Sequence, residues 1–408
     1  MADNAILDTD SDDEVPPGWE ERVTLSGKVY YANHESKSTQ WTHPTTGKRK
    51  TIKGELPYGW ERKVGEDGLV FYVDHVNQKT TLTDPRLAFA EVVKGDNTAF
   101  RQKFDGNSTA LEVLQGRDLT GQYAIITGAN SGIGYETARS IAFHGAKVIM
   151  ACRNLNSAES CKKAIMTERP DSQVEAMHLD LSSLASVKDF ADKYKDNKWP
   201  LHLLILNAAV FGIQHTWTED HLEMTFQVNH LSHFYLTKLL WDILMKSAPA
   251  RVIVVSSESH RGTDLSMANI SEEKLSPNAE NYSDLKAYNL SKLCNVLFSM
   301  HLNRLLSPYR VTSLSLHPGN IMYSGLQRNW WLYRLLFLLA RPFTKSMQQG
   351  AATTVYCATS HDLEDIGGLY FNNCCRCPPS TAAEDENLAK ALWDICEQML
   401  SKRIGRPI

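Results

Sequence analysis

Tyr288 and Lys292 are the two residues of this sequence whose spacing most directly indicates proton transfer. Four positions apart, they would lie on one face of a helix, one turn from each other. A phenol has an ordinary pKa of about 10, too high for an efficient base near neutrality, and a neighbouring ammonium is expected to lower that pKa. Such a pair can take a proton from an alcohol or return one to a carbonyl. Because this spacing also arises by chance, the prediction depends on a second feature.

The second feature is the glycine run Thr-Gly-Ala-Asn-Ser-Gly-Ile-Gly at 127–134, which follows an apolar strand pattern and precedes a helical one. We expect Gly128 to form a turn at positive φ, Gly132 to let a pyrophosphate approach the backbone, and Gly134 to let the helix pack closely on the sheet. The helix N-terminus would present free N–H groups to phosphates. The spacing G-x-x-x-G-x-G differs from the commonest dinucleotide motif, and the alternative is a turn without a ligand.

Strand and helix patterns alternate after residue 120, which predicts an α/β fold with a Rossmann-like, doubly wound parallel sheet. The segment Leu203–Leu206 is continuously apolar, as a strand covered on both faces requires. Strands are predicted at 123–127, 147–151, 174–179, 201–206 and 251–255, and helices at 135–144 and 158–167.

An internal repeat occupies the first ninety residues. Pro17–Glu20 is matched by Tyr58–Glu61, and Val29–His34 by Val70–His75. Each copy predicts three short antiparallel strands joined by two turns. The third matching pair of segments is Thr39–Pro44 and Thr80–Pro85.

Composition argues against several classes of protein. The net charge of −4 does not favour nucleic acid, and no apolar run of about 18 residues predicts a transmembrane helix. The acidic start, Met1–Glu14, is unlike a secretory signal. The basic run Lys48–Lys50 fits nuclear import and a solvated linker equally. We therefore expect a cytoplasmic protein, with a nuclear pool if that run is a signal, and peripheral membrane or mitochondrial association stays open.

The eight cysteines do not form the dense pattern of a disulfide framework and are interpreted as reduced thiols of an intracellular protein. Cys374, Cys375 and Cys377 are clustered, but no second Cys or His pair lies near them at ligand spacing. Since a structural zinc needs about four ligands, no metal site is predicted.

Each repeat copy resembles a WW domain. The resemblance implies that Trp19 packs with Pro44, and Trp60 with Pro85, as a small core. It also implies a groove for proline-rich peptides in the polyproline II conformation. In the first copy Tyr30 and Trp41 would clamp a proline, and His34 would meet the tyrosine of a Pro-Pro-x-Tyr ligand; the groove residues are Tyr30, His34, Thr39 and Trp41.

The second copy departs from that family at two positions. Leu82 replaces the second tryptophan and Phe71 replaces the tyrosine. Leucine offers neither a flat indole surface nor its N–H donor. We expect the second copy to fold but to bind poorly, or to support the first copy.

From about Thr120 to Cys377 the chain resembles the short-chain dehydrogenase/reductase superfamily. Five matches occur in family order: the glycine run, Asp180 after a strand, the segment Asn207-Ala208-Ala209, Asn229, and Ser257 followed by Tyr288-x-x-x-Lys292. The resemblance implies that Tyr288 is the acid–base group, Lys292 its partner and ribose ligand, and Ser257 the hydrogen-bond donor to the substrate oxygen. Asn229 would hold a water linking Lys292 to solvent, and Ser256 is the competing serine. The implied cofactor-binding set is Thr127, Gly128, Asn130, Ser131, Gly132, Ile133, Gly134, Arg153, Asp180, Asn207, Ala208, Tyr288, Lys292, Pro318 and Gly319.

Cofactor choice depends on the end of the second strand, where NAD-selective sites carry an acid. Here the residues are Cys152 and Arg153, and a guanidinium suits a 2′-phosphate. The sequence therefore predicts NADP(H) over NAD(H); the alternative is a solvated arginine.

The interval between Ser257 and Tyr288 is long and is predicted to be a surface loop containing Asp264, Glu272, Glu273 and Pro277. It is similar to the retinol- and steroid-handling branch of the superfamily, which implies a lipophilic alcohol or carbonyl substrate. The apolar stretch Trp330–Ala340 is too short to span a bilayer and is interpreted as a lid or buried helix, or as a membrane-surface contact.

Two functions follow from this organisation: an NADP(H)-dependent oxidoreductase recruited to Pro-Pro-x-Tyr partners, or an adaptor whose reductase fold is a cofactor-binding platform. Many relatives are dimers or tetramers, so a homo-oligomer is an open expectation. The predicted domains are an acidic disordered start at 1–15, WW copies at 16–49 and 57–88, a linker at 89–119, the reductase domain at 120–377 and a helical tail at 378–408.

Overall fold

The computed structural model describes residues 15–24, 28–45, 50–52, 56–65, 70–92, 103–319 and 345–405. The chain forms two compact units, Met1–Arg101 and Gln102–Ile408. The first holds the repeat and the second holds the large sheet.

Each repeat copy is a three-stranded antiparallel sheet, as predicted. The first consists of β1 (Trp19–Val23), β2 (Val29–Asn33) and β3 (Ser38–Gln40). A short β4 (Lys50–Thr51) follows. The second copy consists of β5 (Trp60–Val64), β6 (Val70–Asp74) and β7 (Lys79–Thr81), and β8 (Glu91–Val92) comes after it.

The core of the first copy is completed by residues outside it. Val29, Tyr31 and Ile52 form a buried cluster, against which Leu87 at the end of the second copy and Ala90 just after it are packed. β8 pairs with β4 in antiparallel register beside this cluster. Trp19 packs against the same cluster. Its predicted contact with Pro44 stays a prediction.

The second unit contains an eight-stranded sheet in the order β11-β10-β9-β12-β13-β14-β15-β16. The pairings are parallel except for the last, between β15 and β16. The predicted doubly wound sheet is thus confirmed. The strands are β9 (Tyr123–Thr127), β10 (Lys147–Cys152), β11 (Val174–His178), β12 (Leu203–Leu206), β13 (Ala250–Val255), β14 (Val311–His317), β15 (Tyr370–Asn372) and β16 (Cys375–Cys377).

Helices lie between the strands and carry the site residues to the carboxyl edge of the sheet. The longest described helix is α9 (Asp284–Leu306), which begins after Ser283 and has an almost fully buried face. The other described helices are α1 (Ala110–Val113), α2 (Gly132–Ala142), α3 (Leu155–Glu168), α4 (Leu184–Asp196), α5 (Met224–Phe226), α6 (Ser232–Leu239), α7 (Trp241–Lys246), α8 (Glu272–Leu275), α10 (Met347–Thr359) and α11 (Glu386–Ile404).

Two segments predicted as linker or loop contain ordered structure, and the segment predicted as a helical tail packs into the main core. Thr109 and Glu112 form a capping box on α1 within the segment expected to be a linker, and Ala110 and Val113 are buried there. The stretch after Ser257 contains α8, so it is not simply a surface loop. The buried residues of α11 recur with the helical period, so they form one face of the helix. This face belongs to the main core.

Candidate active site and peptide groove

The glycine run forms the turn from β9 into α2. Gly128 has φ +67° and Gly132 has φ +59°, and both lie in the left-handed region that glycine adopts without strain. A Cβ on Gly134 would lie 2.4 Å from the Gly128 carbonyl oxygen, so the close packing predicted there requires glycine. By contrast, apart from its chain neighbours and the backbone of its own helix, no described atom lies within 4 Å of a Cβ position at Gly132. The helix thus begins at Gly132 beside open space, which suits a phosphate.

Thr127 joins the glycine turn to the next strand. Its Oγ1 accepts hydrogen bonds from the backbone N–H groups of Asn207 and Ala208, at 2.9 and 3.0 Å. The Asn207 Nδ2 donates to the Thr127 carbonyl at 2.9 Å. Two predicted cofactor segments are therefore bonded to each other at the point where the sheet order changes direction.

Other predicted cofactor residues surround this edge. Arg153 follows β10, is exposed and has no ion-pair partner among the described residues. Asn130 donates to Ser157 Oγ at 3.2 Å. Asp180 accepts from both the N–H and the hydroxyl of Ser182, at 2.9 and 2.6 Å.

Tyr288 and Lys292 lie together on α9. The Lys292 Nζ is 5.4 Å from the centre of the Tyr288 ring and donates to the Val255 carbonyl at 3.1 Å. Burial lowers the pKa of Lys292 to about 8. Burial also raises the pKa of Tyr288 to about 12, and a hydrogen bond with Ser257 opposes this only in part.

The expectation that Lys292 lowers the Tyr288 pKa is therefore wrong for the protein alone. The ammonium lies over the ring and is directed at a backbone carbonyl, while loss of water disfavours the phenolate. Near neutrality Tyr288 is a phenol, which is the form that gives a proton.

The two serines after β13 have separate roles. Ser256 is buried, and its hydroxyl donates to the Lys292 carbonyl at 2.7 Å. Ser257 is half-buried and caps the 3₁₀ turn Glu258–Arg261 by accepting from the Ser259 N–H at 3.2 Å. Its hydroxyl lies 3.2 Å from Ser259 Oγ and also hydrogen-bonds Tyr288, so it lies beside the phenol.

Asn229 lies in a single π-helical turn, Gln227–Leu231, between α5 and α6. Its side chain is fully occupied, because Nδ2 donates to the Val210 carbonyl and to Ser291 Oγ, both at 3.0 Å, and Oδ1 accepts from the Val210 N–H at 2.7 Å. Only its main-chain carbonyl keeps capacity for a water, and His233 Nδ1 already contacts that oxygen at 3.2 Å.

Sequence reasoning missed two buried histidines, His230 in the π-helical turn and His233 in α6. His233 Nε2 accepts from the Thr127 hydroxyl at 2.9 Å, since that oxygen already receives two N–H groups. His230 Nδ1 bonds Asn295 Oδ1 at 3.0 Å, one turn beyond Lys292. The signal available in the sequence was two histidines three positions apart within a helical pattern.

Phe211 was also missed. Its ring lies 4.8 Å from the Tyr288 ring in an edge-to-face arrangement at 72°. It gives the phenol an apolar neighbour at the mouth of the site. The sequence offered no signal beyond its position after Asn207.

Pro318 and Gly319 follow β14 at the same sheet edge, with Gly319 at φ +95°. The Lys345 side chain lies against Gly319, where a Cβ would be 2.7 Å from its Cδ. The intervening stretch Trp330–Ala340 lies outside the described residues. No described helix is long and apolar enough to cross a membrane.

In the first repeat copy, the Tyr30 and Trp41 rings are 6.0 Å apart at 64°, and Trp41 is 51% exposed. His34 lies on the adjoining strand end and bonds Glu20 at 2.8 Å. Thr39 is exposed on β3. The four predicted groove residues thus belong to one small sheet with their aromatic surface uncovered. In the second copy, Leu82 is 67% exposed, without an aromatic wall.

All eight cysteines are free thiols. Within the described part of the chain, no group of three or more potential ligands is arranged for a metal ion.

Comparison with known proteins agrees with both units. The family described as short chain dehydrogenase matches residues 122–268, and the WW domain family matches residues 15–44. The second unit is therefore a short-chain dehydrogenase/reductase, an oxidoreductase fold. The first carries a WW domain, the kind of module that binds proline-rich peptides.

A WW domain-containing oxidoreductase of Gallus gallus is 60% identical over 98% of this chain and 97% of its own length. Retinol dehydrogenase 12 of Mus musculus is 40% identical over 69% of this chain and 87% of its own. A solved structure of an uncharacterised protein from Mycobacterium paratuberculosis superimposes with a TM-score of 0.57, at 32% identity, covering 72% of this chain and 97% of that one. The chain belongs to the family of WW domain-containing oxidoreductases.

Proposed function

We propose that this chain is an NADP(H)-dependent oxidoreductase that acts on a lipophilic alcohol or carbonyl and is recruited to Pro-Pro-x-Tyr proteins by its first WW copy. The observation that carries the enzymatic part is the meeting of Tyr288, Lys292 and Ser257 at the carboxyl edge of the sheet that also carries the glycine turn. Proton transfer and dinucleotide binding are thereby available at one sheet edge.

The residues fit a dinucleotide. The open space beside Gly132 and the free N-terminus of α2 suit the pyrophosphate, and Thr127 fixes the adjoining Asn207–Ala208 segment. Arg153, exposed and without an ion-pair partner among the described residues, suits a 2′-phosphate. The first feature suits either dinucleotide, and Arg153 favours NADP(H) over NAD(H).

When bound, the nicotinamide supplies or accepts a hydride. Residues of the chain itself transfer the proton. The Tyr288 phenol, with its raised pKa, would give a proton to a carbonyl oxygen that the Ser257 hydroxyl holds by a hydrogen bond. Lys292, a buried amine whose Nζ lies 5.4 Å from the centre of the Tyr288 ring, would return a proton to Tyr288 after the transfer.

A lipophilic substrate is favoured by the apolar neighbour Phe211 and by similarity to a protein named retinol dehydrogenase 12. An aromatic ring beside the phenol adds apolar surface that a lipophilic substrate can contact. A steroid ketone or a retinaldehyde has the apolar surface for such a site.

The second candidate function is adaptor binding. It is favoured by the Tyr30–Trp41 pair, whose exposed indole makes a peptide groove independent of turnover. In that case the reductase unit would serve as a cofactor-binding platform.

The test is fluorescence titration of purified full-length protein with NADPH and NADH, then oxidation of bound NADPH against steroid ketones and retinaldehydes. Preferential NADPH binding with turnover is the expected result. Binding without turnover would contradict the substrate class and favour the adaptor function. Absence of binding to either nucleotide would overturn the enzymatic proposal.

The catalytic assignment is tested in the same assay with Tyr288→Phe. Turnover should be lost while NADPH and peptide binding persist, since only the hydroxyl is removed. Full activity of this variant would refute the role of Tyr288.

A further inference from the structure

The 3₁₀ turn Glu258–Arg261 determines where the Ser257 hydroxyl lies. Ser257 is its N-cap, and its oxygen accepts the Ser259 N–H at 3.2 Å. The Ser257 carbonyl oxygen also accepts the His260 N–H, at 3.1 Å. Any shift of the turn would therefore move the hydroxyl.

His260 lies in the C-terminal half of this turn and holds the turn in place. It is fully buried, and its Nδ1 lies 2.7 Å from the Ser257 carbonyl oxygen. Its Nε2 accepts the backbone N–H of Ser380 at 3.0 Å. Because a backbone N–H can only donate, Nε2 carries the lone pair and Nδ1 carries the proton that is given to Ser257. The imidazole is thus a neutral ring in one tautomer.

The same turn is held to the segment after β16 by further contacts. Arg261 donates from a guanidinium nitrogen to the Pro378 carbonyl at 2.7 Å. The Tyr370 hydroxyl bonds the Glu258 carboxylate at 3.3 Å, and the Tyr370 ring lies 4.9 Å from the His260 ring. The imidazole is the member of this set that contacts Ser257 itself.

We propose that His260 is a positioning residue for Ser257: its neutral imidazole joins the Ser257 carbonyl to the Ser380 amide and so sets the direction of the Ser257 hydroxyl. This inference rests on the proposed function. It means that the position of the Ser257 hydroxyl, which donates to the substrate oxygen, depends on residues 378–380. These residues are far from Ser257 in sequence. Displacement of a positioned group by about 1 Å can lower a rate by roughly a hundredfold.

The experiment compares H260F, H260N, S257A and the double variant H260F/S257A in the full-length protein. H260F keeps ring packing on Tyr370 and removes both hydrogen bonds, whereas H260N keeps a short amide donor for the Ser257 carbonyl. We expect H260F to lower kcat on the order of tenfold to a hundredfold. We expect H260N to recover most of that loss, and the Kd for NADPH to change by less than about twofold in both.

The decisive comparison is the double-mutant cycle formed by the wild type, H260F, S257A and H260F/S257A. If His260 acts through Ser257, H260F should cost nothing further in the S257A background. An equal loss in both backgrounds, or no loss in H260F, would overturn the proposal. If H260F fails to fold, H260N in the same cycle decides it, with a smaller expected loss.

If the wild type reduces no compound of the panel, the proposed substrate class fails but the positioning role remains measurable. Amide hydrogen exchange then reports on the Ser259 and Ser380 N–H groups, which bond the Ser257 hydroxyl and the imidazole. Faster exchange at both in H260F supports the proposal. Unchanged protection at Ser259 overturns it.

Discussion

The hydroxyl of Ser256 donates a hydrogen bond of 2.7 Å to the main-chain carbonyl of Lys292. This bond fastens the end of β13 to the middle of α9, so the neighbouring Ser257 and Tyr288 are presented by two elements that are bonded to each other. The two adjacent serines therefore divide structural and chemical roles.

Ser256→Ala should lower the free energy of unfolding by about 1 kcal/mol, because a buried hydrogen bond is lost. Ser257→Ala, its matched control, removes a half-buried cap of a short 3₁₀ turn; it should cost only about 0.5 kcal/mol of stability and should lower turnover. Urea unfolding and NADPH oxidation measure the two effects. Equal stability loss in both variants would contradict this division.

Lys292→Met should stabilise the protein near pH 7, since the wild type must bury an ammonium. The folded-state pKa of Lys292, about 8, lies below its ordinary value of 10.5, so the unfolded state binds the proton more tightly. Wild-type stability should therefore gain relative to the variant as the pH rises from about 8 to 10, by up to about 3 kcal/mol.

The measurement is urea unfolding of both proteins at pH 7 and pH 9.5. Using the difference between them removes the contributions of the tyrosines and cysteines they share. A difference that does not change with pH would show that Lys292 is not a buried ammonium.

Arg153→Ala should weaken NADPH binding on the order of tenfold or more and leave NADH binding unchanged, because only NADPH carries the 2′-phosphate. The matched control is Arg169→Ala, an exposed arginine that is already paired with Asp171. Fluorescence titration with each nucleotide measures both. Equal weakening of NADH by Arg153→Ala would assign the arginine a different role.

Trp41→Ala should abolish binding of a Pro-Pro-x-Tyr peptide with little change in stability, because the indole is half exposed. Leu82→Ala changes the equivalent exposed position of the second copy and should leave peptide affinity unchanged. Isothermal titration calorimetry with the peptide measures the affinity of each variant. A comparable loss in Leu82→Ala would indicate that the second copy contributes to the groove.

Local pattern was enough to predict the glycine turn and the first five strands of the large sheet, but not β14, β15 or β16. The bounds of β9 match the predicted strand, and the φ of Gly128 has the expected sign. These features depend on neighbouring residues, so a sequence window contains their cause.

Features that depend on burial or on distant contacts were not predictable in this way. The pKa of Tyr288 rises because of its surroundings, which the Tyr-x-x-x-Lys spacing does not report. The hydrogen bonds of the Asn229 amide depend on a π-helical turn. The hydrogen bond from Ser380 to His260 joins residues that are far apart in sequence. Such contacts exist only after the chain has folded.

The pairing of β4 with β8, together with Leu87 and Ala90 on the Val29–Tyr31 cluster, has a practical consequence for dissection of the chain. A peptide ending at residue 45 contains the whole aromatic groove but lacks Ile52 and the residues that shield the back of the sheet. Affinities measured on such a fragment would include the cost of an incomplete fold, whereas a fragment extending through Val92 would report the groove itself.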